Sequence, residues 1–165
     1  MIRVEHLART DRAALCEMLG DENDFPQHLL YLYQRPSGPD ENLLAWRDER
    51  IDGLLTGTFR HDFWDNREFG EFELPRSRHA LLTRMHVRRT ERRHGIGEVL
   101  VAQFAAEANE HGCSFIGGYL DGTYDKTGRR AFFERLGFTV SGFDSFGARP
   151  AEILASAGIP FIPIP

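Results

Sequence analysis

Between Ala80 and Leu120 the spacing of apolar residues changes period, and few chain paths satisfy that change. From Ala80 to Val87 the residues alternate, with Arg84, His86 and Arg88 interleaving Met85 and Val87, as a strand requires. From Gly97 to His111, Leu100, Val101, Phe104, Ala105 and Ala108 fall on one helical face. Gly112 follows where a left-handed C-terminal cap belongs. Ser114 to Leu120 then reads as an apolar strand, and such a strand belongs at the centre of a sheet. Strand, helix and buried strand in succession predict an α/β chain.

The turn between the first strand and the helix is Arg88-Arg89-Thr90-Glu91-Arg92-Arg93-His94-Gly95-Ile96. From Arg84 to His94 there are five arginines, two histidines and one glutamate, although the formal net charge of the chain is −5. A helix N-terminus offers unpaired N–H groups and the positive end of the helix dipole. Glycines at 95 and 97 let backbone approach a ligand closely. Together these parts predict a phosphate-binding turn. On these residues alone, solvated arginines and a plain chain reversal are an equal reading. A Walker loop would need Gly-Lys-Ser/Thr, and the only lysine is Lys126. The dinucleotide fingerprint would need a third glycine where Leu100 stands.

The flanks extend the pattern. Ile2-Arg3-Val4 reads as an opening strand, and Thr10 to Gly20 as a helix with Ala13, Ala14, Leu15 and Met18 apolar. Residues 21–40 read as a loop with a short helix near Leu29 to Tyr33. Leu43 to Trp46 and Ile51 to Phe59 read as antiparallel strands joined through Arg47-Asp48-Glu49-Arg50. Residues 60–78 carry Phe63, Trp64, Phe69 and Phe72 among polar residues, which predicts a lid or an extra hairpin. Arg129 to Leu136 reads as a helix stopped by Gly137, and Phe138-Thr139-Val140 starts a strand. The tail, Ile159 to Pro165, has three prolines that exclude it from a sheet interior and suit an edge or a subunit contact.

At 165 residues, 41% hydrophobic and 27% charged, the chain suits a single domain over 1–165 with a real core. The acidic balance argues against a nucleic-acid partner. Cys16 and Cys113 make no disulfide framework and have no ligand at metal spacing, so no metal is expected. A charged N-terminus and the lack of a long apolar run predict a cytoplasmic protein with no membrane partner.

Val87, followed by Arg92-Arg93-His94-Gly95-Ile96-Gly97, resembles the Arg/Gln-x-x-Gly-x-Gly/Ala element of the GNAT acetyltransferases. Downstream, Ala131-Phe132-Phe133-Glu134-Arg135-Leu136-Gly137-Phe138 is similar to that family's second helix, which typically closes Tyr-Glu-x-Leu-Gly-Phe. The resemblance is strong over 80–143 and poor over 60–78 and after 144. It implies a central mixed, mostly antiparallel twisted sheet of six to seven strands flanked by about four helices. Within that sheet it implies a splayed parallel pair, 80–87 and 114–120, that binds acetyl-CoA. It implies that backbone of Met85, His86 and Val87 meets the acetyl and pantetheine end. Amides of Arg93, His94, Gly95, Ile96 and Gly97 would hold the pyrophosphate, with Arg92, Glu98 and Phe133 also in the cofactor site. Arg88 or Arg89 would add charge to the arginines of the turn.

Acetyl transfer needs an amine to lose a proton, an oxyanion to be stabilised and a thiolate to leave. His86, Glu71 and Glu73 are the base candidates; a strand histidine beside arginines is as readily structural or a cofactor contact, and the glutamates read equally as a solvated face. His61-Asp62 is suggestive by adjacency only. The family's tyrosine acid is replaced by Phe133. Tyr124, Tyr119 or water would then protonate the thiolate, or no acid is needed, because a thiol of ordinary pKa leaves as a fairly stable anion. The expected activity is N-acetylation of a primary amine on a small molecule or peptide. The alternative is a non-catalytic acyl-CoA-binding regulatory module. Family habit and the apolar tail suggest a homodimer.

Overall fold

The structure is a computed structural model and describes residues 1–35, 38–75, 77–120 and 125–158. Seven strands, β1 (Arg3–His6), β2 (Glu41–Arg47), β3 (Arg50–His61), β4 (Arg78–Val87), β5 (Cys113–Tyr119), β6 (Thr139–Val140) and β7 (Ser145–Ala148), form one sheet in the order β1-β2-β3-β4-β5-β7-β6. Among the described residues five helices accompany them: α1 (Arg12–Gly20), α2 (Tyr31–Gln34), α3 (Ile96–Glu110), α4 (Lys126–Arg135) and α5 (Pro150–Ser156). β4 and β5 pair in parallel, Leu81 standing opposite Gly117, whereas β1–β2, β2–β3, β5–β7 and β6–β7 are antiparallel. The expected mixed, mostly antiparallel sheet is therefore present.

The chain forms two compact units, Met1–Gly57 with Arg84–Leu100, and Thr58–Thr83 with Val101–Pro165. β3, β4 and α3 each contribute residues to both.

In the first unit β2 turns into β3 through Asp48 and Glu49, both at positive φ (49° and 60°). A two-residue turn of that hand matches the twist of the strands it joins. The core beneath is Leu15, Met18 and Leu19 of α1, Phe25, Tyr33 of α2, and Leu44, Ile51 and Leu54 of the strands. The N-terminal end of α3 lies close on β3 because position 53 is glycine. A Cβ there would stand 2.7 Å from Ile96 Cγ2 and 3.0 Å from Leu100 Cδ1.

The second unit is built on phenylalanine. Residues 60–78, expected as a lid or hairpin, instead complete β3 as far as His61 and then form a single 3-10 turn at Arg67–Phe69. Phe63 and Phe69 are fully buried, with centroids 4.1 Å apart and both rings edge-on to Phe115 of β5. Buried His79 ties the segment down, its ring nitrogens lying 3.0 Å from the Phe63 amide and 2.9 Å from the Pro75 carbonyl. Three phenyl rings packed together on one apolar sheet face bury far more surface than a solvated hairpin.

After residue 144, β7 and α5 complete this unit, α5 opening with Pro150 in its first turn. α4 starts three residues before the expected Arg129, because Asp125 caps it by accepting the Gly128 amide. The proline tail over 159–165 lies outside the described residues.

Candidate active site

β4 delivers alternating side chains at its C-terminal end. Arg84 donates to the Tyr33 hydroxyl at 2.9 Å, Tyr33 shares a 2.8 Å hydrogen bond with Thr56, and Thr56 donates to Asn42. Two residues on, His86 is buried, with its ring edge-on to Phe25 at 5.5 Å. Its Nε2 stands 3.6 Å from Glu22 Oε2. Desolvation lowers the His86 pKa below its ordinary value, against the opposing pull of Asp24 and Glu22. Burial accordingly favours the neutral imidazole over the imidazolium.

Beyond Val87 the chain leaves the sheet, and its arginines divide into two groups. Arg88 donates its amide to the Asp52 carbonyl at 2.7 Å. Its guanidinium reaches Asp52 Oδ1 at 3.1 Å and the Ile51 carbonyl at 2.9 Å. Arg92 donates Nε to the Val87 carbonyl at 3.0 Å and pairs with Asp24 at 2.6 Å. Burial alone would raise the Asp24 pKa, but the Arg92 hydrogen bond and charge, with His86, bring it below the usual range. The Arg89 amide is taken by the Glu22 carboxylate. Thus the side chains of Arg84, Arg88 and Arg92 are committed to the fold, while those of Arg89 and Arg93 are exposed. Much of the positive patch read from the sequence is internal ion pairing.

Arg93 and Gly95 both adopt left-handed backbone, at φ 65° and 82°. Left-handed residues in a turn swing successive N–H groups toward one side, the arrangement from which anion-binding nests are made. α3 begins immediately afterwards at Ile96, and the first amides of a helix have no acceptor within it. Ile96 and Gly97 are buried, and exposed His94 has Nδ1 3.8 Å from Glu91. The geometry therefore offers backbone N–H groups and the α3 dipole to an anion, with Arg93 as the exposed cation beside them.

The other predicted site residues lie in the second unit. Phe133 is 7% exposed, stacked at 3.9 Å on Phe146 and edge-on to Phe138 at 5.4 Å. Glu71 and Glu73 are exposed, and Glu71 Oε2 takes the Gly142 amide at 3.4 Å. Tyr119 is half exposed, with Asn66 donating to its hydroxyl at 2.6 Å. Tyr124 lies outside the described residues. His86 belongs to one unit and the two glutamates to the other. Both cysteines are free; burial raises the thiol pKa of Cys113 to about 11 and also raises that of Cys16.

Sequence reading passed over Glu22 and Asp24, which appear in the chain only as members of an acidic loop after Gly20. It also passed over Asp52, whose place after Ile51 suggests an outward-facing strand position. The one signal for these acids was the clustered arginine itself, since paired cations need anions from elsewhere.

The profile of the family described as Acetyltransferase (GNAT) family matches residues 7–138. None of the curated proteins matches the chain. Solved structures do. A transcriptional regulator from Bacillus halodurans is 24% identical with TM-score 0.65, over 86% of this chain and 95% of that one. A putative GNAT acetyltransferase from Desulfovibrio desulfuricans is 13% identical with TM-score 0.69, over 92% and 100%. PaiA N-acetyltransferase from Thermoplasma acidophilum, solved with coenzyme A, is 15% identical with TM-score 0.64, over 90% and 99%.

Proposed function

Since the chain belongs to the GNAT acetyltransferase family, we propose that it moves an acetyl group from acetyl-CoA to a primary amine on a small molecule or peptide. The observation that carries this reading is the join of β4 to α3. Left-handed Arg93 and Gly95 lead straight into the helix N-terminus beside exposed Arg93. A pyrophosphate seats there on backbone N–H groups and the helix dipole. The coenzyme A bound to the Thermoplasma acidophilum neighbour supports the same choice of cofactor. Met85, His86 and Val87, at the end of β4, present backbone to the acetyl and pantetheine portion. A backbone amide at His86 or Val87 stabilises the thioester oxyanion.

Proton removal from the amine falls to His86, Glu71 or Glu73. His86 is neutral but buried, and the desolvation that keeps it neutral also weakens it as a base. Glu71 and Glu73 are open to solvent and suit an acceptor that arrives as an ammonium. Phe133 packs inside an aromatic cluster and has no proton to give, so the thiolate leaves as the anion or takes a proton from Tyr119, Tyr124 or water.

The same residue motivates a second reading, an acyl-CoA-binding module without turnover. Calorimetric titration with acetyl-CoA, against CoA, ATP and NAD, tests the cofactor. Micromolar binding confined to the CoA pair is the expected result, and preference for ATP or NAD would sink the assignment. Release of free CoA thiol across a panel of amines then separates enzyme from module: an amine-dependent rate is expected, and tight binding with no release for any amine would favour the module.

A further inference from the structure

Three side chains of the first unit that can ligate metal converge under the turn. Glu22 and Asp24 follow α1, His86 lies on β4, and one donor atom from each stands within 4.8 Å of the other two. Glu22 and His86 are 6% and 8% exposed. His86 Nε2, facing Glu22, is buried without a hydrogen-bond partner, and so is Asp24 Oδ1. Buried polar atoms are almost always paired, and these two, with the Glu22 carboxylate 3.6 Å from His86 Nε2, are costly unless they share a partner. The charges agree. Two carboxylates face one guanidinium, that of Arg92.

The geometry points to Glu22, Asp24 and His86 as the ligand set of a divalent transition-metal cation. The site rests on the first unit alone and stands whether or not the acetyltransferase reading does. One imidazole nitrogen with two carboxylate oxygens suits Zn²⁺ or Co²⁺ better than Mg²⁺ or Ca²⁺, which favour oxygen throughout. Donors about 2.1 Å from zinc stand roughly 3–4 Å apart, so rotation of the two acid side chains would draw the cluster in by about 1 Å. The Arg92 guanidinium on Asp24 Oδ2 and the Arg89 amide on Glu22 would stay in place and orient those ligands. An ion held here pins residues 22–24 to β4, directly before the turn that receives the pyrophosphate. The cysteine spacing that argued against metal does not bear on this cluster, whose histidine lies more than sixty positions from its two acids in the chain.

The test is titration calorimetry of the full chain, freed of metal and CoA, with Zn²⁺ alone, together with nuclear magnetic resonance in the presence of Co²⁺. One saturable site is expected, with Co²⁺ shifting the His86 ring resonances before those of the other histidines. Glu22→Gln and Asp24→Asn keep side-chain shape and acceptor oxygens for Arg89 and Arg92. Each should weaken Zn²⁺ by about tenfold or more, with unchanged circular dichroism. If Glu22→Gln fails to fold, the partly exposed Asp24→Asn and the wild-type Co²⁺ shifts decide. No saturable site with the His86 ring unmoved would mean that the unpaired atoms share a water, and overturns the proposal. Binding retained in both variants, or Co²⁺ located at other histidines or the cysteines, overturns it equally.

Discussion

Asp52 carries a carboxylate 1% exposed, ringed by Arg47 at 3.2 Å, Arg50 at 2.8 Å and Arg88 at 3.1 Å. Arg47 and Arg50 also reach Glu91, so two acids on separate strands and turns hold three arginines. Removing one charge from a buried pair strands its partner, and the partners here are partly exposed, which screens the loss. Asp52→Asn should cost about 2 kcal/mol, discounted from the roughly 3–5 kcal/mol of a fully buried pair, read from the urea unfolding midpoint. It should also weaken acetyl-CoA binding, because Arg88 fixes where the turn begins; unchanged affinity would separate the network from the site. None of this was legible in the sequence. An acid between Ile51 and Gly53 looks solvated until Arg88 is known to lie over it. His86 shows the same limit. Its alternation with Met85 and Val87 suggests a side chain facing a cleft, but the cover that buries it comes from Glu22 and Phe25, and no local spacing links those positions to 86.

Elements were more legible than contacts, and for a physical reason. β4, α3, β5 and α4 carry periodic apolar faces and glycine stops, which are local properties. Gly112 and Gly137 end α3 and α4 at φ 77° and 96°, as those positions in the sequence suggest. Where burial depends on a distant surface the reading failed. The stretch 60–78 looks polar because its phenylalanines are spaced irregularly, yet those rings fill one face of β5. The closeness of α3 to β3 is likewise invisible in either element alone, since it rests on the missing side chain at Gly53. Gly53→Val should lift the first turn of α3 off the strand. Overpacking of that kind costs about 1–3 kcal/mol, and acetyl-CoA affinity should fall more than thermal stability alone explains. A variant that melts early but binds normally would show that the helix N-terminus is not the phosphate seat.

For the whole molecule, stability against pH combines these local fields. His86 and His61 both titrate below their ordinary 6.5, chiefly through desolvation. Above 6.5 each is neutral folded or unfolded. As pH falls below 6.5 the unfolded chain takes up protons first, so stability declines until the folded pKa values are passed. Asp24 sits below its ordinary 3.8, and the stability it contributes is present above 3.8 and lost on further acidification. A chemical-denaturation series should therefore show two acid-side declines, and His86→Asn should flatten the first. An unaltered first decline would place the histidine's native environment in water. The sheet, its parallel pair and the family were all foreseeable from the chain, because they follow from local apolar periodicity and from two short motifs in register. The division into two units was not, for it depends on which strands share a core. Within the second unit, Gly117 leaves room for Phe63 and Phe69, and a Cβ there would stand 2.7 Å from the latter. Gly147 does the same for Phe115, its nearest neighbour, and for Phe72, where a Cβ would lie 3.1 Å away. Such bare positions and the rings that fill them form a single volume, so neither can mutate alone. Descendants of this sequence can enlarge 117 only after shrinking 63 or 69, and that ordering closes most single-step routes by which this part of the protein could diverge.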